Sequence, residues 1–534
     1  ATLQEGFLPL ANFGNIELLL TSQPFLLISF MLVPAGAVWK FVFHLKLFQS
    51  FLVRLSLHSL TMSEKNLSMH LSKEEFQKYG YRLVDWLANY FDTMEDNTVL
   101  PKVQPGDIRA MMPTSAPESA ESMDEIIDDL DQIVMPGMAH WQHPGWYAFF
   151  PSGVSPVSVL GEFVAAGLAT QGMMWSTAPS ATEIENTVLD WLVELLGLPT
   201  QWRIDSGQGG GVLQMSASDS THLSLAVARH HAGLKGYETE SLVAYGSSQA
   251  HSSIEKGARI AGFKHIRAVP VDDSFAMDPT ALATLIAEDL EAGLKPTWVC
   301  SAVGTTSTTA MDPIRDIAKI AKKHDMWHHA DAAYAGSAMI CPEFRDLQDG
   351  VELVDSYTFN PHKWLLTNFD CSVFWVADRS TLIDALSILP PYLRNETSGN
   401  PSAVDYRDWH VPLGRRFRAL KLWFVLRSYG AENLRSFIRS HVDWAIELER
   451  KIINDERFEI VAPRTLALIC FRHVGGDGST HELAEAINAS GSAYVTPSII
   501  DGKAFIRVSI GSTWTQQHHV DSLWELITNN ANRL

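Results

Sequence analysis

Residues 355–370 read DSYTFNPHKWLLTNFD: a short apolar run ends in Asn360-Pro361, and His362 and Lys363 follow at once, set among aromatic and aliphatic side chains. A lysine is ordinarily a solvated surface charge, so this setting calls for either a buried ion pair or an amine whose pKa has been lowered for chemistry. The preceding apolar run, MWHHADAA (326–333), presents Asp331 at its end among small residues. If both runs are neighbouring strands, a carboxylate and an amine meet in one crevice. On spacing alone, a structural ion pair explains the two groups better than catalysis does.

Outward from this pair the pattern repeats. From about residue 156, helical stretches alternate with short apolar runs, among them SLVAYG (241–246) and TWVCSAVG (297–304). Such alternation predicts an α/β fold, a mainly parallel sheet covered by helices, with ligands bound beyond the carboxyl ends of the strands. Toward the C-terminus a helix rich in Trp, Leu and Arg, RALKLWFVLRSYG (418–430), gives way to strand-like FEIVAP, LALICFRH and KAFIRVSIG, which reads as a small α+β domain. Near the other end, Ser72 with Glu75 fits a helix N-cap, and Phe76, Tyr79, Leu83, Trp86, Leu87 and Tyr90 recur at helical spacing. MMPTSAPESAES (111–122) is a loop, and SMDEIIDDLDQIVMPG an acidic helix closed by Pro136-Gly137. The expected division is a hydrophobic extension over 1–61, an N-terminal helical segment over 62–155, a large domain over 156–420 and a small C-terminal domain over 421–534.

The 534 residues carry a formal charge of −20, which argues against nucleic acid as a partner because phosphate neutralisation needs a basic surface. The four cysteines, Cys300, Cys341, Cys371 and Cys470, lack Cys-x-x-Cys spacing. Neither a zinc site nor a disulfide framework is expected, and a reducing compartment, the cytoplasm, fits best. Leu18 to Trp39 is uncharged over about the length that crosses a bilayer. Pro24 and Pro34 interrupt it, and Met62-Ser-Glu-Lys reads as a fresh start, so residues 1–61 are expected to be an extension rather than an anchor or a targeting segment.

Three further segments bear on the crevice. Ser216-Ala217-Ser218 stand before a helix, where hydroxyls and free backbone N–H groups suit a phosphate monoester. The preceding GQGGG (207–211) lacks the Gly-Lys-Ser/Thr of a nucleotide loop, and by itself also fits a flexible connector. His251, after the SLVAYG run, could stack on a planar ligand, although a lone histidine is more often structural. Gly304 to Thr309 supplies hydroxyls after another run. One ligand accounts for all of these features: pyridoxal 5′-phosphate. Its aldehyde needs an amine such as Lys363, its ring nitrogen an opposing carboxylate such as Asp331, and its phosphate and ring a cup and a stacking partner.

The segments HADAAYAGSAMICPEFR, FNPHKWLLTNFDCSVFWV and DYRDWHVPLGRRFRALKLWFVLRSYG resemble the group II pyridoxal-phosphate decarboxylases, most closely the aromatic-L-amino-acid decarboxylases. The resemblance covers nearly all of residues 62–534. It implies the transferase fold type I, like aspartate aminotransferase, and a homodimer with active sites at the subunit interface. It makes Lys363 the cofactor's amine, His362 its phosphate-side neighbour with Asn360 nearby, Asp331 the ring-nitrogen partner, Ala333 the residue beneath the ring and His251 the stacking imidazole. Thr306 falls near the cofactor, and Ser216, Ala217 and Ser218 form the phosphate cup. Trp141, Phe150, Pro151 and Ser152 match the substrate side, and Tyr392 the tyrosine of a mobile loop that protonates Cα. No metal ligand is implied.

Two departures bear on the substrate. Phe149 stands where the family usually has Tyr, and Gln171 and Met173 where animal relatives carry Ile and Phe. The expected activity is decarboxylation of an L-amino acid, with dopa, tyrosine, tryptophan or 5-hydroxytryptophan as substrate. The alternatives are an aromatic aldehyde synthase, a histidine or acidic amino acid decarboxylase, and a membrane-tethered or degenerate cofactor-binding protein.

Overall fold

The computed structural model describes residues 69–388 and 403–533. It divides into two units at residue 84. Of the first, the described part is the beginning of helix α1 (Lys73–Asp92), where Ser72 Oγ accepts the Glu75 N–H at 3.2 Å and Glu75 Oε2 accepts the Ser72 N–H at 2.8 Å, the expected capping box. The extension over 1–61 and Tyr392 lie outside the described residues. Among the described residues no helix is long and apolar enough to cross a membrane.

The second unit is built on a seven-stranded sheet: β1 (Gly210–Gln214), β2 (Leu242–Ser247), β3 (His265–Val269), β4 (Lys295–Ala302), β5 (Trp327–Asp331), β6 (Ser356–Phe359) and β7 (Ser372–Val376), in the order β1-β7-β6-β5-β4-β2-β3. From β6 to β3 every neighbouring pair is parallel, and β7 alone runs against the rest. The four apolar runs of the sequence are β2, β4, β5 and β6. Their side chains are buried on both faces, which is why they read as continuous apolar stretches rather than alternating ones.

Glycines 210 and 211 are not a flexible connector but the start of β1, fully buried. A Cβ on Gly210 would come within 2.6 Å of the Trp409 ring, and one on Gly211 within 2.6 Å of Trp375 Nε1. Here glycine is required by two indoles packed on the strand. Beneath β1, Glu185 Oε1 accepts both the Leu213 N–H (2.8 Å) and Arg415 Nη2 (2.6 Å), and Arg415 also donates to Leu213 O at 3.1 Å, so the buried ion pair grips the strand leading to Ser216.

Helices cover both faces. Helix α2 (Pro156–Leu168) begins with a reciprocal Ser155–Ser158 cap and Pro156 in its first turn. It crosses α3 (Ala419–Ile453), a pair of helical stretches broken at Gly430, so closely that a Cβ on Gly161 would meet Lys421 Cα at 2.7 Å. A second, four-stranded antiparallel sheet, in the order β10-β11-β9-β8, comprises β8 (Phe458–Thr465), β9 (Leu468–His473), β10 (Thr496–Ile500) and β11 (Lys503–Ser509). The four cysteines are buried and free.

Burial keeps five histidines neutral, His328, His362, His410 and His441 with pKa values held at about 3 and His329 at about 4. Burial raises four carboxyls, Asp312 to about 7, Asp355 to about 6, and Asp190 and Asp408 above the usual carboxylate range. Below an ordinary histidine pKa the unfolded chain binds protons that the five folded rings refuse, so each ring's contribution to stability is complete above that value and is lost as pH falls. The carboxyls act with the opposite sign, but the histidines outnumber them, because burial also lowers His140, His143, His222, His251, His324, His473 and His519. The melting temperature is therefore expected to fall as pH drops from about 7 to about 4.5, and a flat or rising melting temperature over that range would contradict this account.

Candidate active site

The lysine turn starts where β6 stops. Pro361 opens the single helical turn Pro361–Trp364 directly after Asn360, and β5 and β6 stay tied beyond their ends: Ala332 N–H donates to Thr358 O at 2.9 Å and Asn360 N–H to Ala333 O at 3.1 Å. Asp331 is in register with Thr358. The sheet thus brings the Asp331 carboxylate and the Lys363 amine to one cavity of about 210 Å³ at the carboxyl ends of the strands. Its wall also holds Ser216, Ala217, Ser218, His251, Thr306, Ala333, Asn360 and His362, so the cofactor-side residues expected from the sequence converge here.

Each of these groups is fixed by its own neighbours. Desolvation pulls the Lys363 pKa below the usual lysine range, Asp331 pulls it back up, and Arg507 lowers it further. The Asp331 carboxylate is oriented by the Ala333 N–H, which donates to Oδ1 at 3.0 Å. His251 Nδ1 accepts the Ser253 N–H at 3.1 Å, so in the neutral ring the proton sits on Nε2; desolvation lowers its pKa against the pull of Asp331. His362 Nδ1 likewise accepts the Cys371 N–H at 3.0 Å, and burial beside Lys363 keeps the ring neutral. Ser216 caps the helix Ala217–Leu234, whose first-turn N–H groups open onto the cavity.

A second cavity, of about 580 Å³, adjoins the first and shares Phe150, His251, Thr306, His362 and Lys363 with it. Trp141, Phe149, Pro151 and Ser152 complete the expected substrate side, and Phe369 and Arg507 were not anticipated. Aromatic faces dominate: Trp141 stacks on Trp146 (4.3 Å between centroids) and on Phe149 (5.6 Å), and Phe150 stacks on Tyr334 (4.1 Å). Into this apolar surface comes a guanidinium. Arg507, 4% exposed, donates through Nε to Ser307 O (2.9 Å) and through Nη2 to Thr306 O (2.7 Å), and its guanidinium lies 5.3 Å from the Phe150 ring centroid. Its signal in the sequence was a lone arginine inside the apolar strand KAFIRVSIG, a placement that demands a partner.

Gln171 and Met173 line neither cavity of their own chain. They belong to a loop held to the segment around residues 407–415, with Gly172 N–H donating to Arg415 O (3.0 Å) and Arg407 N–H to Met173 O (2.9 Å).

The donor set suits pyridoxal phosphate. Besides an amine with a lowered pKa and an oriented carboxylate, the wall contains Asn360 Oδ1, a buried oxygen with no hydrogen-bond partner among the described residues, which a ligand donor would satisfy. The helix N-terminus with its serines fits a phosphate.

Comparison with known proteins agrees with this geometry. Residues 105–474 match the family described as the pyridoxal-dependent decarboxylase conserved domain. Tryptophan decarboxylase 2 of Oryza sativa subsp. japonica is 42% identical over 477 residues, 87% of this chain and 96% of the relative. Phenylacetaldehyde synthase of Arabidopsis thaliana is 44% identical over 477 residues, 87% and 97% of the two chains. The crystal structure of Oryza sativa TDC with PLP and tryptamine superposes with a TM-score of 0.85 at 39% identity, covering 87% of this chain and 99% of that one. The sheet order, the lysine turn and these similarities together assign the fold, pyridoxal-phosphate-dependent transferase type I, and the cofactor, pyridoxal 5′-phosphate. By the extent of the match and the residues that carry it, the chain belongs to the pyridoxal-dependent decarboxylase family.

Proposed function

We propose that this carboxy-lyase acts on an aromatic L-amino acid, releasing CO2 and the arylalkylamine, and that Lys363, Asp331, His251 and Tyr392 carry the chemistry. The observation that carries the reading is the aromatic cavity of Trp141, Phe149 and Phe150 opening beside Lys363, with Arg507 as its cation. When bound, the cofactor supplies an aldehyde and an electron-poor ring able to take up the electron pair left when CO2 departs.

The chain's residues supply the rest. Lys363 offers its amine to the aldehyde, and its lowered pKa keeps a larger share of that amine unprotonated near neutrality. Asp331 stands to hold a proton on the ring nitrogen, and His251 to cover the ring. Ser216, Ser218 and the helix N-terminus take the phosphate, with Thr306, Asn360, Ala333 and His362 enclosing the rest. Arg507, with two N–H groups spent on carbonyls, can turn a remaining donor to the substrate's carboxylate while aromatic faces hold the side chain. The Tyr392 phenol is assigned the proton delivered to Cα, which takes the place of CO2.

A second reading, aldehyde synthesis, is supported by the similarity to phenylacetaldehyde synthase. It differs in balance: it consumes O2 and water and releases hydrogen peroxide and ammonia along with CO2. Tyr392 favours the amine, because a proton donor at Cα competes with oxygen there.

We also infer a homodimer. Leu160, Phe163, Val164 and Leu168 on α2 are 51%, 57%, 40% and 61% exposed, an apolar face that a second copy would cover. Gln171 and Met173, which line neither cavity, would then reach the partner's. Buried free thiols agree with a cytoplasmic location.

A panel of amino acids assayed for CO2, amine and peroxide tests the reading. Amine equal to CO2 from an aromatic substrate, without peroxide, is expected; stoichiometric peroxide points to aldehyde synthesis, and no release from any aromatic amino acid overturns the proposal. Tyr392→Phe should shift product toward aldehyde and peroxide, and an unchanged product ratio removes the tyrosine's role. Arg507→Leu should lower kcat/KM about 10- to 100-fold, the loss expected for a charge-assisted hydrogen bond. The rate of cofactor capture by the apoprotein should rise with pH and level off below the ordinary lysine pKa of about 10.5; levelling at or above it contradicts an activated Lys363.

A further inference from the structure

Phe149 has a φ of +57°, in the left-handed region where a bulky aromatic residue is a rare outlier. Such a conformation persists only where its surroundings over-determine it, and such residues gather at functional sites. Here the ring lies in the substrate-side wall, stacked at 5.6 Å on Trp141 and edge-on at 6.3 Å to Tyr494. What holds the backbone is remote in sequence: the Phe149 N–H donates to Thr496 Oγ1 at 2.7 Å. Thr496 opens β10 and is paired directly with Arg507 of β11. Residues directly opposite one another in an antiparallel pair share a face, so one face of the small sheet carries both the hydroxyl that fixes the aromatic wall and the cation of the same cavity.

We propose that Thr496 is a specificity-determining positioning residue: by accepting the Phe149 N–H it holds the aromatic wall at a fixed span from Arg507, and so selects the length of the substrate's side chain. The inference rests on the reading of Arg507 as the carboxylate's partner and of an aromatic amino acid as substrate. The substrate never touches Thr496. Without the hydroxyl, Phe149 relaxes out of the left-handed region, the wall retreats from the cation, and ground-state binding weakens while the chemical step stays intact.

The test uses the holoenzyme and the amino acid with the highest kcat/KM in the wild-type panel, together with phenylglycine, phenylalanine and homophenylalanine as a length series. Thr496→Val should raise KM about fivefold with kcat changed less than about twofold, as expected for one lost hydrogen bond that serves binding alone, and should flatten the length preference. Thr496→Ser, which keeps the acceptor, should restore both to within about twofold of wild type. Glycine adopts positive φ without strain, so in a Phe149→Gly background Thr496→Val should change KM by less than about twofold. A KM left unchanged in Thr496→Val, a fall in kcat in place of a rise in KM, or no rescue by serine overturns the proposal. A crystal structure of Thr496→Val gives a readout free of turnover. Phe149 found with negative φ supports the positioning role of Thr496 even where the panel shows a substrate other than an aromatic amino acid, in which case only the length selection falls with that reading, and Phe149 still near +57° refutes the proposal whatever the substrate.

Discussion

The parallel pairing of β5 with β6 is the constraint from which the site follows. Parallel strands point the same way, so the residues just past their carboxyl ends face one another, and here those residues are Asp331 and the turn that bears Lys363. The pairing continues past the strands through Ala332 and Asn360, which leaves the turn little freedom to move its amine relative to the carboxylate. Both strands are buried on each face, and a slip in register would drive side chains into packing shaped for their neighbours on both faces at once. The separation of the two groups is thereby fixed by the stability of the core rather than by any contact between them.

A buried amine is costly unless its charge can be set aside, and the surroundings show how. Desolvation favours the neutral form of Lys363, and the neutral rings of His251 and His362 each spend Nδ1 on a backbone N–H. Both imidazoles are thus locked in one tautomer by the main chain. Below the phosphate-side helix, the Glu185–Arg415 pair performs a comparable service for β1, tying the strand's last residues to a segment far along the sequence.

Much of this was legible in the sequence because the signals were local. Lys363 among aromatics, Asp331 at the end of an apolar run, and a cluster of small hydroxyl residues before a helix each state their chemistry within a few positions. The strands that escaped notice lacked that local contrast. β1 hides in a glycine run whose meaning lies in Trp375 and Trp409, far along the chain. β3 is a half-exposed edge strand, His265–Val269, and β7 resembles any other buried run. Arg507 could be noticed as an arginine in an apolar strand, but its partners, Thr306 and Ser307, come from a loop some two hundred residues earlier. Gln171 and Met173 were placed by resemblance on the substrate side, and they line neither cavity, a placement that depends on the path of the whole loop and leaves no trace in local periodicity.

The double attachment of Arg507 has a mechanical consequence. Its guanidinium is bonded to the loop carrying Thr306, which walls the first cavity, and its backbone belongs to the small sheet that walls the second. Tilting of the C-terminal sheet therefore cannot widen the second cavity without pulling on the loop that walls the first, so the two cavities are coupled mechanically through a single guanidinium.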